Sequence, residues 1–191
     1  KIVWNFRTDF SAIKLLTLSP NRTFLAAAGE GANSKGGSMV QIWNLSDGNS
    51  TMLPLHDEKK VTALTFSPDG KYLASGGANN DIYLFELKNT LELNRLVVFD
   101  KEADGHRGNI RDLQFTPDGS FLLSSANDNT VKLWDMSANA LLKTIEIPEG
   151  DIFSIDIDPA GRYIVCTSKF LKERLTAVDT AEVSIFEGHE K

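Results

Sequence analysis

Three side chains in the middle of the chain have the residue types of a hydrolase triad: Ser124, His106 and Asp128. In such a triad the histidine takes the proton of the serine hydroxyl, and the aspartate orients the imidazole ring. The sequence around Ser124 lacks the G-x-S-x-G turn that exposes the nucleophile in one large class of hydrolases. Residue types alone therefore indicate catalysis only weakly. The secondary-structure elements that position these side chains determine whether they can form a catalytic site.

A glycine-rich segment, Gly29–Gly37, has a composition that suggests phosphate binding. The dinucleotide-binding pattern G-x-G-x-x-G would need glycine where Ser34 stands, and the P-loop pattern needs glycine directly before a Lys-Ser or Lys-Thr pair. Nor do we expect a helix after the segment that would present its backbone N–H groups to a phosphate. We interpret the segment as an inserted loop and keep it as a candidate for partner contacts.

Composition and charge exclude several classes of protein. The 191 residues include 20 Lys+Arg and 26 Asp+Glu, so the formal net charge is −6, and 41% are hydrophobic. This fits a folded globular chain, and the acidic balance argues against binding duplex nucleic acid, which requires a basic face. No apolar run reaches the roughly 18 residues of a membrane span. Because Cys166 is the single cysteine, we expect a reducing, intracellular location, cytoplasmic or nuclear, with no metal and no other cofactor.

The elements around these residues belong to an internal repeat. Four prolines, spaced 48, 49 and 42 residues apart, mark it: Pro20, Pro68, Pro117 and Pro159. Apolar residues stand seven, four and two residues before each proline, and an aromatic residue stands four after it. Short runs rich in β-branched and aromatic residues alternate with Pro-Asp-Gly-type turns, which is typical of short antiparallel strands. No stretch keeps a period of 3.6 residues, so we expect few helices.

The third unit shows most clearly what the repeat resembles. It contains Gly105-His106, the turn Pro117–Gly119, then Ser124, Asp128 and Trp134-Asp135. These units resemble WD40 repeats, which form the four-stranded blades of a β-propeller. The resemblance implies that the side chains of His106, Ser124, Asp128 and Trp134 form a hydrogen-bonded network that locks the blade, and are not catalytic.

The other units depart from the pattern of the third. In the second unit, Asn79 occupies the aspartate position, Phe85 replaces the tryptophan, and His56 lies one residue further out. His56, His106 and His189 all stand near the crossovers between different blades. The resemblance therefore implies three separate locking positions and no shared metal site.

The predicted fold class is all-β, with four WD40-type blades of four antiparallel strands. The predicted boundaries are repeat 1 at 1–46, repeat 2 at 47–88, repeat 3 at 89–136, repeat 4 at 137–180, and the start of a further repeat at 181–191. Each unit is expected to begin with the outer strand of a blade, and Ile2–Phe6 has the offset of such a strand. Since rings of this family hold about seven wedges, four units predict either part of a longer propeller or an open arc completed by a partner or a second copy.

A binding surface is expected where the repeats differ from one another. Six residues before each proline stands a set that we call the mouth column: Lys14, Thr62, Arg111 and Phe153. The mouth column stands an even number of residues before the proline, as do the apolar core positions four and two residues before it, so all three should point to the same side of the strand. In the resembled family this column lies at the mouth of the central channel on the narrow face, where peptides commonly bind. The neighbouring Lys60, Arg107 and Asn109 add positive charge and polarity, which would suit an acidic or phosphorylated peptide. The alternative is that all of these are ordinary solvent-facing residues.

A second candidate surface is the outer segment Leu87–Asp104, which carries a short insertion relative to the other units. Its run Leu96–Phe99 is apolar, and an open sheet edge can accept an added strand. The alternative is a longer loop that covers its own strand.

The predicted function is a non-catalytic protein–protein interaction scaffold, a WD40 subunit or domain of a larger intracellular assembly. One alternative is a regulatory propeller attached to a catalytic or signalling domain outside this chain. A propeller enzyme is a further alternative, and it would require polar residues from several blades to converge on the channel. The mouth column instead holds one aromatic residue, one threonine and two bases.

Overall fold

A computed structural model of the chain describes residues 5–31, 37–53, 60–88, 93–100, 102, 104–147, 152–168, 174–178 and 183–187. These residues form sixteen β-strands and no α-helix, so the expectation of few helices is confirmed for the described residues. The strands form four separate antiparallel sheets of four strands each, which confirms the predicted fold class. Within this part of the chain no helix has the length and apolar character needed to cross a bilayer.

Each sheet consists of four strands that are consecutive in the chain and paired in that order. The first sheet consists of β1 (Phe10–Leu18), β2 (Phe24–Gly31), β3 (Ser38–Asn44) and β4 (Ser50–Met52). The second consists of β5 (Val61–Phe66), β6 (Tyr72–Gly77), β7 (Ile82–Leu87) and β8 (Leu93–Phe99). The third consists of β9 (Ile110–Phe115), β10 (Phe121–Ala126), β11 (Thr130–Asp135) and β12 (Ala140–Glu146). The fourth consists of β13 (Ile152–Ile157), β14 (Tyr163–Ser168), β15 (Arg174–Val178) and β16 (Val183–Glu187).

The sheets are offset from the predicted repeats because the fourth strand of a sheet lies at the start of the next repeat. For example, β8 falls within predicted repeat 3 but pairs with β7 of the second sheet. The repeat boundaries themselves stay a prediction. The predicted outer strand Ile2–Phe6 lies mostly outside the described residues, and Asn5 and Phe6 are not in a strand. Residues 188–191 also lie outside the described part.

The turn between the first and second strands of each sheet has the geometry that Pro-Asp-Gly predicts. Three of these turns place a glycine at a φ between 71° and 74°, where a side chain would strain the backbone: Gly70, Gly119 and Gly161. In the first sheet, Arg22 takes this position with a φ of 60°. The hydroxyl of Ser67 donates to the carboxylate of Asp69 at 2.6 Å, and this side-chain bond closes the turn of the second sheet.

Successive sheets pack face to face, with their first strands adjacent: β1 contacts β5, β5 contacts β9, and β9 contacts β13. Each of the three buried apolar clusters lies between two neighbouring sheets. Ile42 and Phe85 share the first cluster, Ile82 and Trp134 share the second, and the third joins the last two sheets. In the described residues the four sheets are not closed into a ring.

Side chains also connect the first strands of neighbouring sheets. The Thr62 hydroxyl donates to the carbonyl oxygen of Ile110. On the next strand, the Asp112 carboxylate accepts hydrogen bonds from the Ser154 hydroxyl at 2.7 Å and from the Ile155 N–H at 3.0 Å. These contacts fix the mutual positions of β5, β9 and β13, and therefore of the residues that they carry at one end.

Candidate functional site

The four residues predicted to form a blade-locking network do lie together in the third sheet. The two ring nitrogens of His106 lie 3.0 Å from an Asp128 carboxylate oxygen and 2.7 Å from the Ser124 hydroxyl. The indole N–H of Trp134 donates to the same hydroxyl at 2.8 Å. Ser124 and Trp134 are fully buried and His106 is 1% exposed. A substrate could not reach this serine, so the triad-like arrangement has no catalytic use as it stands.

Asp128 is the charged member of the network and collects several hydrogen bonds. The Thr130 hydroxyl donates to it at 2.7 Å and the Arg107 backbone N–H at 2.8 Å. Burial by itself would raise the pKa of Asp128. The hydrogen bond and charge of His106, followed by the bonds from Thr130 and Arg107, outweigh burial and hold the pKa well below its usual range.

Acid should therefore weaken the third sheet. Because the pKa of Asp128 is lower in the folded chain than in the unfolded chain, its contribution is present above the unfolded value of about 4 and is lost as the pH falls below it. We expect Asp128→Asn to lower the free energy of unfolding by about 1–3 kcal/mol at neutral pH and to reduce its fall below about pH 4. Urea denaturation at stepped pH values measures both effects. Asp9→Asn, at an exposed aspartate, is the matched control, and equal pH profiles for the two variants would contradict the assignment.

A pocket of about 400 Å³ lies where the first strands of the four sheets begin. All four residues of the mouth column line it, and so does Lys60. The structure thus brings together five of the seven residues predicted for partner binding. Arg107 and Asn109 do not line this pocket; they are exposed, and their backbone groups bond to the end of the second strand of the same sheet.

Every residue of the mouth column is the extra residue of a β-bulge. In the first sheet Ile13 pairs with Gly29 and Leu15 pairs with Ala28, so that Lys14 has no partner across the ladder. The second, third and fourth sheets skip Thr62, Arg111 and Phe153 in the same way. A bulge adds one residue to one strand and redirects its side chain. Four equivalent bulges therefore present the four side chains to one pocket.

The cations of the pocket differ in how they are held. The Nε–H of Arg111 donates to the side-chain oxygen of Asn127, and its guanidinium lies 5.7 Å from the centre of the half-exposed Phe153 ring. The Nζ of Lys14 lies 3.7 Å from a carboxylate oxygen of Glu30, and both side chains are exposed. Among the described residues, Lys60 has no ion pair. Within the part of the chain that the structure describes, the pocket therefore holds one cation oriented by an amide, one cation paired with a carboxylate and one cation without an ion pair.

The backbone of Lys60 is fixed, although its side chain forms no ion pair with the described residues. Its carbonyl oxygen accepts a hydrogen bond from the N–H of Ala78 at 2.9 Å. A Cβ added to Gly77 would lie 2.3 Å from this oxygen, so the close approach of the two chain segments requires glycine there. The Thr62 hydroxyl, in contrast, already donates its hydrogen bond to the carbonyl oxygen of Ile110.

Two residues of this site were not singled out from the sequence: Asn127 was in no candidate set, and Glu30 lay only within the candidate segment Gly29–Gly37. Each stands ten residues after the proline of its own repeat, at the end of the second strand. The signal was a second variable column on the neighbouring strand, which holds Glu30, Ala78 and Asn127 in the first three repeats. Comparing the repeats on both sides of the proline would have found it.

Known proteins match parts of the chain. Residues 49–86 and 98–135 match the WD40 family model, described as "WD domain, G-beta repeat". A protein of Saccharomyces cerevisiae named "Putative guanine nucleotide-exchange factor SED4" is 31% identical over 86 residues, which are 45% of this chain and 8% of that protein. These two segments are therefore similar to WD40 repeats, and the four antiparallel sheets of four strands fit WD40-type blades. WD40 repeats indicate a protein-interaction propeller and are generally non-catalytic.

Proposed function

We propose that the chain is a non-catalytic scaffold that binds a partner protein in the pocket of the mouth column, taking an acidic or phosphorylated peptide segment. The observation that carries this proposal is local charge. Lys14, Lys60 and Arg111 come from three different blades and line one pocket, although the chain as a whole has a net charge of −6. A positive pocket in an acidic chain attracts an anionic segment and repels most other protein surface.

The blades support binding through their rigidity. The strand residues before and after each bulge are paired with the second strand of the sheet, and Thr62 and Asp112 link neighbouring blades. A ligand then meets side chains whose backbone is already in place, so little conformational entropy is lost when it binds. We place this scaffold in a larger intracellular assembly of the cytoplasm or nucleus, since a chain with a single cysteine suits a reducing compartment.

Reversing two pocket charges should abolish partner binding. The test variant combines Lys60→Glu with Arg111→Glu, which changes the pocket from positive to negative. The matched control combines Lys71→Glu with Arg162→Glu, because both residues are exposed and lie at the opposite ends of their blades. We expect proteins that co-purify with the native chain to fall at least about tenfold with the pocket variant, since each buried or oriented charge contact contributes on the order of 1 kcal/mol or more.

The measurement is quantitative mass spectrometry of proteins retained by the tagged chain in cells. Partners kept by the control variant and lost by the pocket variant support the proposal. Identical sets of partners for the native chain and both variants would show that the pocket is not the binding site. Circular dichroism of each purified variant confirms that the sheets are intact.

The similarity to the yeast exchange factor favours a second candidate, a regulatory propeller that acts on a guanine-nucleotide-binding protein. The matched segment is 31% identical but covers 8% of that relative. The same co-purification separates the two candidates. A small GTPase retained equally by the native chain and the pocket variant favours the second candidate, whereas loss of all partners favours the first.

A further inference from the structure

In the first and third blades, the pocket cation and the residue that contacts it stand at equivalent positions of the repeat, but the two contacts differ in kind. Lys14 and Arg111 are equivalent in the repeat, and so are the residues that hold them, Glu30 and Asn127. The carboxylate of Glu30 forms an ion pair with Lys14, whereas the amide of Asn127 accepts a hydrogen bond and carries no charge. Glu30 thus offsets the positive charge of Lys14, whereas Asn127 orients Arg111 without offsetting its charge.

We infer that the pocket selects a phosphorylated side chain, with Arg111 as its anchor, Asn127 as a positioning residue and Glu30 as an internal competitor for Lys14. This inference rests on the proposed function, since it names the ligand chemistry of the same pocket. It is more specific than a general attraction for acidic peptides. The geometry of Arg111 fits an oxyanion of either kind, and the number of acceptor oxygens and the charge balance favour phosphate over carboxylate.

The guanidinium of Arg111 is oriented to bind an oxyanion through two hydrogen bonds. Asn127 occupies its Nε–H, and the guanidinium lies 5.7 Å from the centre of the Phe153 ring. Among the described residues its two terminal nitrogens have no hydrogen-bond partner. A guanidinium binds carboxylate or phosphate oxygens through two parallel hydrogen bonds, and an orientation fixed in advance lowers the entropy lost on binding.

A phosphate that is paired with Arg111 has an oxygen left to bind a second cation, whereas a carboxylate has none that is not already bonded to Arg111. Both oxygens of a carboxylate are used when it forms a bidentate pair with Arg111. A phosphate monoester has three terminal oxygens, so one remains for Lys60, which lines the same pocket and has no ion pair among the described residues. Two cations from neighbouring blades then bind one group.

The charge of the pocket also fits a dianion. Among the described residues, three cationic side chains and the carboxylate of Glu30 line it, which leaves two net positive charges. A phosphorylated side chain carries about −1.5 to −2 at neutral pH, and a carboxylate carries −1. In the same positive field the dianion gains roughly twice the Coulomb energy of the monoanion.

Glu30 limits how strongly any anion binds. Its carboxylate lies 3.7 Å from the Nζ of Lys14, so a ligand that uses Lys14 must displace it and then lie close to it. Glu30→Gln removes this competition and keeps the shape of the side chain. The variant should bind every anionic peptide more tightly, and the dianion should gain more than the monoanion.

The test uses three fluorescent degenerate peptide libraries that differ only in a fixed central residue: phosphoserine, glutamate or serine. Fluorescence anisotropy measures binding of each library to the full chain. We expect the phosphoserine library to bind about tenfold more tightly than the glutamate library, since the charge and the additional hydrogen bond together are worth on the order of 1.4 kcal/mol. The serine library should not bind.

Three variants test the assigned roles. Arg111→Lys keeps the charge but loses the bidentate geometry, and it should weaken phosphoserine binding about tenfold. Asn127→Ala should reduce the preference for phosphoserine over glutamate about threefold without changing the thermal melting of the chain. Glu30→Gln should tighten phosphoserine binding about threefold, as expected for removal of an exposed like charge.

The failures of this inference and of the proposed function are distinguishable. Equal affinity for the phosphoserine and glutamate libraries would overturn the phosphate assignment and leave a general acidic-peptide site in place. No binding of either library would overturn both. Phosphoserine binding that Arg111→Lys leaves unchanged, together with a preference that Asn127→Ala leaves unchanged, would place the phosphate site elsewhere on the chain.

Discussion

Leu113→Ala is expected to lower the free energy of unfolding by about 2–5 kcal/mol, the range for large-to-small changes in a packed core. The same change at Leu16 should alter it by less than about 0.5 kcal/mol. The two leucines stand four residues before the proline of their repeats and are therefore equivalent in sequence. Leu113 is 3% exposed and packs in the cluster between the second and third blades, whereas Leu16 is 64% exposed.

The difference follows from the position of the two blades. The first strand of the third blade packs against the second blade, and in the described structure no sheet covers the same face of the first blade. Removal of the Leu113 side chain leaves a cavity and loses buried apolar area, and removal of Leu16 loses little of either. Urea denaturation of both variants measures the difference. Losses of equal size would show that the exposed face of the first blade is covered in solution.

The overall fold was largely predictable because the repeat specifies it several times. The four Pro-Asp-Gly-type turns impose the positive φ found at Gly70, Gly119 and Gly161. Short β-branched runs between them leave little alternative to antiparallel strands. The four residues of the mouth column line one pocket, and their role in binding a partner stays a prediction.

Parity along the strand is not a sufficient reason for placing the mouth column, because the alternation of side chains is interrupted at a bulge. Ile110, Leu113 and Phe115 are all buried in one cluster, although the first two are separated by an odd number of residues. In a regular strand, residues an odd number apart point to opposite faces. The bulge at Arg111 is what lets all three point inward. The odd spacing was visible in the sequence and indicated the bulge.

Glu30 and Asn127 were harder to predict because their role depends on a partner on another strand. Nothing in the sequence near Arg111 shows that an amide sixteen residues later accepts its Nε–H. The pairing depends on the register of the first two strands, and the bulge shifts that register by one residue. Sequence comparison among the repeats identifies variable columns, and only the register shows which columns meet.

Ser124→Ala is expected to lower the free energy of unfolding by about 2–4 kcal/mol, whereas Ser75→Ala should leave it within about 1 kcal/mol of the native value or raise it. The serines are equivalent in their repeats and are 0% and 1% exposed. The Ser124 hydroxyl bonds to His106 and Trp134, and its removal leaves two buried nitrogens without partners.

In the second blade Phe85 replaces the tryptophan, and the Ser75 hydroxyl has no hydrogen-bond partner among the described residues. Alanine at this position removes a buried hydroxyl that has no hydrogen bond to the described residues, and the apolar contacts around it are kept. Urea denaturation of both variants is the measurement. If the two substitutions cost the same, the energy would lie in the packing of a small side chain, and the hydrogen-bonded network of the third blade would contribute no stability of its own. If Ser124→Ala costs more, as expected, the hydrogen-bonded network of the third blade contributes stability at a position where the second blade relies on apolar contacts of Phe85.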